Sequence, residues 1–156
     1  MSHETFPGIL YALVLQDFPE SLVECLAVFS LLNFKLTDKR IWPIALLQTL
    51  TNLVRLLPLA FGMHSIILIF SLVLYTRLFT RAQLSKTFLA VMVCFALIAV
   101  AEIIYVGPLL KFTGLEYEVV FANPFLRAAF SLPYFVILLL LALGKNYYNQ
   151  KKGLTC

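Results

Sequence analysis

Charge is scarce in this sequence. Asp, Glu, Lys and Arg make up 13% of its 156 residues, whereas an ordinary soluble domain carries about 25%. Apolar side chains make up 62% of the chain. A chain so poor in charge and so rich in apolar residues is typical of a polytopic membrane protein. We therefore predict an all-α fold, a transmembrane helix bundle that forms a single domain over residues 1–156.

The residues and motifs from which active sites are usually built are also scarce. The chain has two His and three Cys, and they lack the spacing of a metal site or a redox pair. No phosphate-binding glycine loop, HExxH or GxSxG motif occurs. The net charge of +4 does not indicate nucleic-acid binding, because most Lys and Arg lie in short loops between apolar segments. We predict a non-enzymatic protein without catalytic residues, metal, cofactor or nucleic-acid partner.

Five apolar segments are long enough to cross a bilayer, which takes about 20 residues with a range of about 17–25. They run over approximately 18–34, 41–61, 64–79, 84–106 and 124–143, and a short basic tail follows at 144–156. The stretch before them is apolar but too short to cross by itself, so it either extends the first segment outward or lies in the interface. A six-span bundle would require residues 5–16 to cross as well.

The distribution of Lys and Arg predicts the orientation of these spans. Basic residues concentrate after the first segment, around the loop after the third, and in the tail (Lys35, Lys39, Arg40; Arg77, Arg81, Lys86; Lys145, Lys151, Lys152). With five spans these loops all fall on one side, and the positive-inside rule makes that side the cytoplasm. We predict a multi-pass protein of the plasma membrane with its N-terminus outside and its C-terminus in the cytoplasm.

Several polar residues interrupt the apolar segments at matching depths. Helical spacing puts Asp17, Glu20 and Glu24 on one face of the first segment. It likewise puts Gln48, Asn52 and Arg55 on one face of the second segment. At 1.5 Å per residue, Glu20 and Arg55 both lie ~21 Å from the cytoplasmic ends. Glu102 and Arg127 lie ~27 Å and ~24 Å from the same side, so they form a second candidate pair.

Charges within a membrane usually face the bundle interior and pair with one another, so these residues are expected to form ion pairs. The same cluster could instead be a polar pocket, open to the outside, that binds a ligand, or an ion or proton path. His64 begins the third segment and is a candidate pH sensor. Pro58 follows Arg55 by three residues and is a candidate hinge.

The run LLNFKLTDKRIWPIALLQTLTNLVRLLPLAFGMHSIILI resembles the membrane-embedded N-terminal sensor region of Gram-positive histidine kinases of the accessory-gene-regulator type. The elements that carry the resemblance are Lys39-Arg40, the passage 55–64 and the passage 123–127, and it extends over about residues 15–145. It implies a bacterial five- or six-span sensor that dimerises and binds a peptide from outside. Only thirteen residues follow Leu143, so the kinase domains themselves are not part of this sequence.

These observations predict a sensor-like or accessory module that binds an extracytoplasmic ligand, or a partner protein, through the outer polar cluster. The ligand would be a peptide or a small molecule. Membrane lipid surrounds the bundle, and the partner would be a second copy or another membrane or cytoplasmic protein. The alternatives are a small substrate-binding subunit of a transporter and a structural subunit of a larger membrane complex.

Overall fold

The computed structural model describes residues 6–57, 59–60 and 62–154, apart from the side chains of residues 56 and 121. All regular structure in these ranges is helical, which confirms the all-α prediction. In chain order the helices are α1 (Phe6–Ala12), a π-helical segment (Leu13–Asp17), α2 (Phe18–Leu31), α3 (Ile41–Thr51), a 3₁₀ segment (Asn52–Leu56), α4 (Met63–Thr80), α5 (Leu84–Thr113), α6 (Tyr117–Ala122) and α7 (Pro124–Lys152).

Three of these helices, α4, α5 and α7, are long and apolar enough to cross a membrane. They correspond to the third, fourth and fifth predicted segments. All three extend beyond the predicted bounds, α4 by one residue at each end and the other two by more. α5 runs on to Thr113, where Gly114 ends it with a φ of 67° that glycine adopts without strain. α7 runs on to Lys152, so most of the predicted basic tail is helical instead of loose.

The first predicted segment begins earlier than expected. α1, the π segment and α2 follow one another without a break, and the residues at both junctions have helical φ and ψ. The π segment lies just before Pro19, which has no N–H to donate and whose ring crowds the carbonyl four residues back. A widened turn relieves that conflict. The stretch before Asp17 therefore extends the first helix.

The second predicted segment is shorter than expected. α3 tightens into the 3₁₀ segment, which ends at Leu56, whereas the prediction continued the helix to residue 61. Leu57 has an extended backbone with a ψ of 144°. A residue before a proline is pushed out of the helical region by the proline ring, and this accounts for the early end. Pro58, the predicted hinge, lies outside the described residues.

Five helices share one core. Each contributes a fully buried side chain: Phe29 of α2, Ile44 of α3, Leu72 of α4, Val91 of α5 and Leu138 of α7. The core lies toward the end of the bundle that carries loops 32–40 and 81–83, which we call the basic end. At that end Asn149 donates to the carbonyl of Ser30 at 2.9 Å and ties α7 to α2.

The outward faces of the long helices are apolar. Ile103 and Phe112 of α5 are 80% and 90% exposed, and Leu89 is 66% exposed. Water-exposed apolar patches of this extent are unusual on a soluble monomer. Such faces suit contact with lipid, and they leave the polar side chains to line the interior.

Candidate functional site: a polar cavity

A cavity of about 730 Å³ lies at the end of the bundle opposite the basic end, and we call it the polar cavity. Its charged and strongly polar lining comes from six helical elements and includes seven of the eight charged or amide residues predicted from the sequence (Gln16, Asp17, Glu20, Glu24, Asn52, Arg55, His64, Glu102, Arg127). Four carboxyl groups and two guanidinium groups therefore face one space.

Arg55 is held by two carboxylates from the first helix. Its Nη2 lies 2.8 Å from Oε1 of Glu20 and its Nη1 lies 3.1 Å from Oε2, which makes a bidentate pair. Its Nη1 is also 3.7 Å from a carboxylate oxygen of Asp17. Glu20 and Arg55, expected at one depth, are thus in contact. Bidentate geometry fixes the guanidinium in one plane and holds the 3₁₀ segment against α2.

The 3₁₀ segment explains why Asn52 and Arg55 reach the same helix. At three residues per turn, positions i and i+3 lie one above the other. Asn52 donates to the hydroxyl of Ser21 at 3.2 Å, one residue beyond Glu20. Asn52 also donates to the carbonyl of Asp17 at 3.5 Å, so it contacts the first helix at two points.

Arg127 of α7 makes its hydrogen bond with a residue that the sequence reasoning missed. Its Nε donates to Oε1 of Gln16 at 2.6 Å. Gln16 lies in the π segment, is buried, and precedes Glu20 by four residues. That i, i+4 spacing with Glu20 and Glu24 was the signal that could have identified it.

Two carboxyl groups on the polar cavity form no ion pair with any residue in the described ranges. Glu24 is 3% exposed, lines the cavity, and makes no hydrogen bond or ion pair with any residue that the structure describes. Glu102 also lines the cavity and is likewise without such a partner in the described ranges. Among the described residues no ion pair joins Glu102 to Arg127, and Arg127 donates to Gln16 of the first helix.

Gln48 is the one predicted polar residue that does not line the polar cavity. It is fully buried one helical turn toward the basic end, where it donates to the carbonyl of Leu68 at 3.1 Å. Its Oε1 accepts from the hydroxyl of Ser71 at 3.0 Å. Gln48 lies four positions before Asn52. Four steps of 100° along an α-helix leave the Gln48 side chain rotated by about 40° around the helix axis relative to Asn52, and Gln48 faces α4.

His64, the candidate pH sensor, lies in the first turn of α4 and lines the polar cavity. Its Nε2 is 3.1 Å from the carbonyl oxygen of Leu57, which connects the start of α4 to the chain after the 3₁₀ segment. This contact gives His64 a role in holding the connection between the two helices.

Aromatic side chains form much of the remaining wall (Phe95, Tyr105, Tyr117, Phe130, Tyr134). The hydroxyl of Tyr105 donates to the carbonyl of Phe130 at 2.7 Å and joins α5 to α7 beside the cavity. The sequence reasoning did not single out these residues, because aromatic side chains in apolar segments usually face lipid or a core.

The described residues contain no group of three or more His, Cys, Asp or Glu side chains that could hold a metal ion. The chain matches no protein-family model, no curated protein and no solved structure.

Proposed function

We propose that this protein is a five-span module of the plasma membrane that binds an extracytoplasmic ligand in the polar cavity and reports its presence to a partner on the cytoplasmic side. In this role it acts as a sensor-like or accessory protein and carries out no chemistry. The observation that carries the proposal is a cavity of about 730 Å³ lined by two carboxyl groups, Glu24 and Glu102, that have no ion pair among the described residues.

The size and lining of the cavity favour a binding site over a set of structural ion pairs. Ligand sites are clefts of about 300–1,000 Å³ with mainly apolar walls and a few convergent polar groups. A cluster that served only to join helices would be expected to pair its charges and to fill the space between them. Here Arg55 is paired, whereas Glu24 is buried without an ion pair or hydrogen bond in the part of the chain that the structure describes, and open space remains beside it.

The lengths of the first two helices support the proposal of five spans. The helical run Phe6–Leu31 exceeds the length of about 20 residues that a crossing needs. Together α3 and the 3₁₀ segment rise about 26 Å, close to the hydrocarbon thickness of about 30 Å. With five spans the basic end faces the cytoplasm and the polar cavity lies in the outer half.

A route for the signal runs along α7. This helix carries Arg127 at the cavity and continues to Lys152 at the basic end. Near that end it is joined to α2, because Ser30 donates to the carbonyl of Ala142 at 2.8 Å. A ligand that binds one arrangement of the two helices better than another would shift α7, and with it the cytoplasmic surface offered to a partner.

The test is native mass spectrometry of the full-length protein, released gently from the membrane in which it is made. The matched variants are Ala99→Phe, which adds a ring inside the polar cavity, and Ala96→Phe, which adds the same ring at an exposed position of α5 away from it. We expect a discrete adduct on the wild type and on Ala96→Phe and none on Ala99→Phe. No adduct on any of them, or equal adducts on all three, would overturn the proposal.

A further inference from the structure

Carboxyl groups outnumber guanidinium groups around the polar cavity. Two guanidinium groups face four carboxyl groups. The contacts of Arg55 within ion-pair distance are with Glu20 and Asp17. Glu24 and Glu102 line the same space and have no cationic group within ion-pair distance among the described residues.

Glu24 is the stronger indication of the two. It is 97% removed from solvent by its surroundings, since only 3% of its surface is exposed. Burying a carboxyl group without a hydrogen bond or a counter-ion is costly, so such groups are rare unless they serve a ligand. Its side chain nevertheless lines open space in which a ligand could complete the missing contacts.

The aromatic side chains that line the polar cavity give a second indication of the ligand's chemistry. Phe95, Phe130 and Tyr134 present aromatic rings to the same space. The face of an aromatic ring is electron-rich and attracts a cation within about 6 Å of its centre. Carboxylates combined with aromatic faces suit an ammonium group that carries an apolar substituent.

We infer that the ligand of the polar cavity is an organic cation, a primary or secondary amine whose ammonium group is received by Glu24 and Glu102 and whose apolar part lies against the aromatic wall. This inference rests on the proposed function and names its ligand class. An ammonium N–H donates to the carboxylate oxygens, which replaces the water that each group loses on binding. A free peptide amino terminus or a lysine side chain belongs to the same chemical class.

The probe is benzylammonium, compared with benzyl alcohol and benzoate, which keep the ring and change only the charge. Thermal unfolding of the full-length protein in mild detergent reports binding, because a ligand of the folded state raises the unfolding temperature. The variants are Glu24→Gln and Glu102→Gln, with Glu118→Gln as the matched control on α6, away from the cavity. Since Glu24 has no partner to lose, its isosteric amide is expected to fold.

We expect benzylammonium alone to stabilise the wild type and Glu118→Gln. Its affinity should fall at least about tenfold in each cavity variant, which corresponds to about 1.4 kcal/mol. Stabilisation by benzoate instead, equal stabilisation by all three compounds, or none by any, would overturn the inference. A native adduct that Ala99→Phe removes but Glu24→Gln retains would leave the proposed function standing and reject only the cationic ligand.

Discussion

Arg55 and Glu20 form a two-pronged ion pair, with nitrogen–oxygen distances of 2.8 and 3.1 Å. Glu20 is 5% exposed at its side chain, whereas that of Arg55 is 36% exposed. The pair joins the 3₁₀ segment to the first helix beside the polar cavity. Its first role is to hold that wall in place, because both of its hydrogen bonds are satisfied within the protein.

Arg55→Ala should destabilise the fold, since it leaves the buried carboxylate of Glu20 without a partner. We expect a loss of about 2 kcal/mol, a value kept modest by the exposure of the guanidinium. Arg55→Lys should recover only part of it, because an ammonium cannot make the bidentate contact. The free energy of unfolding in mild detergent measures both. A variant as stable as the wild type would show that the pair does not hold the wall.

The variant Gln48→Leu distinguishes polar residues that stabilise the bundle from polar residues that bind the ligand. Gln48 joins α3 to α4 away from the polar cavity, so the variant should lose about 1 kcal/mol of stability. Its binding of benzylammonium should equal that of the wild type. The comparison is Glu24→Gln, which should show the reverse pattern. Loss of binding in Gln48→Leu at unchanged stability would contradict this division.

The sequence was sufficient to predict the all-α fold and the polar faces of the first two segments. The lengths of the apolar segments indicate the fold, and the helical period places the polar residues on one face. It predicted the contact between Glu20 and Arg55 because depth along two consecutive helices follows from counting residues. It did not identify Gln16, the residue to which Arg127 donates, because Gln16 precedes residue 18, where the first predicted segment begins. It failed for Gln48, because the rotation of a helix about its axis depends on which neighbour it packs against.

The cavity itself could not be predicted from the sequence. Whether the side chain of Glu24 contacts a partner or lines open space depends on how five helices pack. Comparing the depths of residues on two helices at a time cannot show that a space between the helices is left unfilled. The aromatic residues that line the cavity could not be predicted either. In the sequence, Tyr134 within an apolar segment cannot be distinguished from a residue that faces the core or the lipid. The number of spans depends in part on where each helix ends. The second predicted segment ends early, at Leu56, because Pro58 keeps the preceding residue, Leu57, out of the helical conformation.

Loop 32–40 should become less stable in acid. Arg40 donates to the carboxylate of Asp38 through Nε at 2.9 and 3.0 Å, and this holds the pKa of Asp38 below its ordinary value. A carboxyl group whose pKa is lowered by folding stabilises the folded state. That stabilisation is complete at a pH above the unfolded-state pKa of about 3.9, and it is lost as the pH falls through the folded-state pKa. For a surface pair we expect about 0.5 kcal/mol.

Unfolding measurements on the wild type and Asp38→Asn test this expectation. The wild type should be the more stable at pH 7, and the two proteins should converge once the carboxyl group of Asp38 is protonated. A difference that persisted unchanged in strong acid would mean that the amide disturbs the loop for a reason other than the lost ion pair.

The five-span arrangement predicts opposite locations for two connections. With the other cysteines replaced, Thr37→Cys lies in loop 32–40 and Glu118→Cys lies on α6. A maleimide that cannot cross the membrane should label Glu118→Cys in intact cells and Thr37→Cys only after permeabilisation. If only α4, α5 and α7 crossed, loop 32–40 would lie on the same side as α6. Labelling of both positions from outside would therefore reject five spans.

The measurement that tests the central claim most directly is carbodiimide labelling of the native protein followed by peptide mass spectrometry. The reagent modifies accessible carboxyl groups that are not held in ion pairs. We predict modification of Glu24, protection of Glu20 by its bond to Arg55, and loss of the Glu24 modification when N,N-dimethylbenzylammonium is present, a cation that keeps one N–H to donate but forms no stable amide with an activated carboxyl group. An unmodified Glu24, or one whose modification is the same with and without this cation, would contradict the account of a ligand cavity built around a carboxyl group without an ion pair among the described residues.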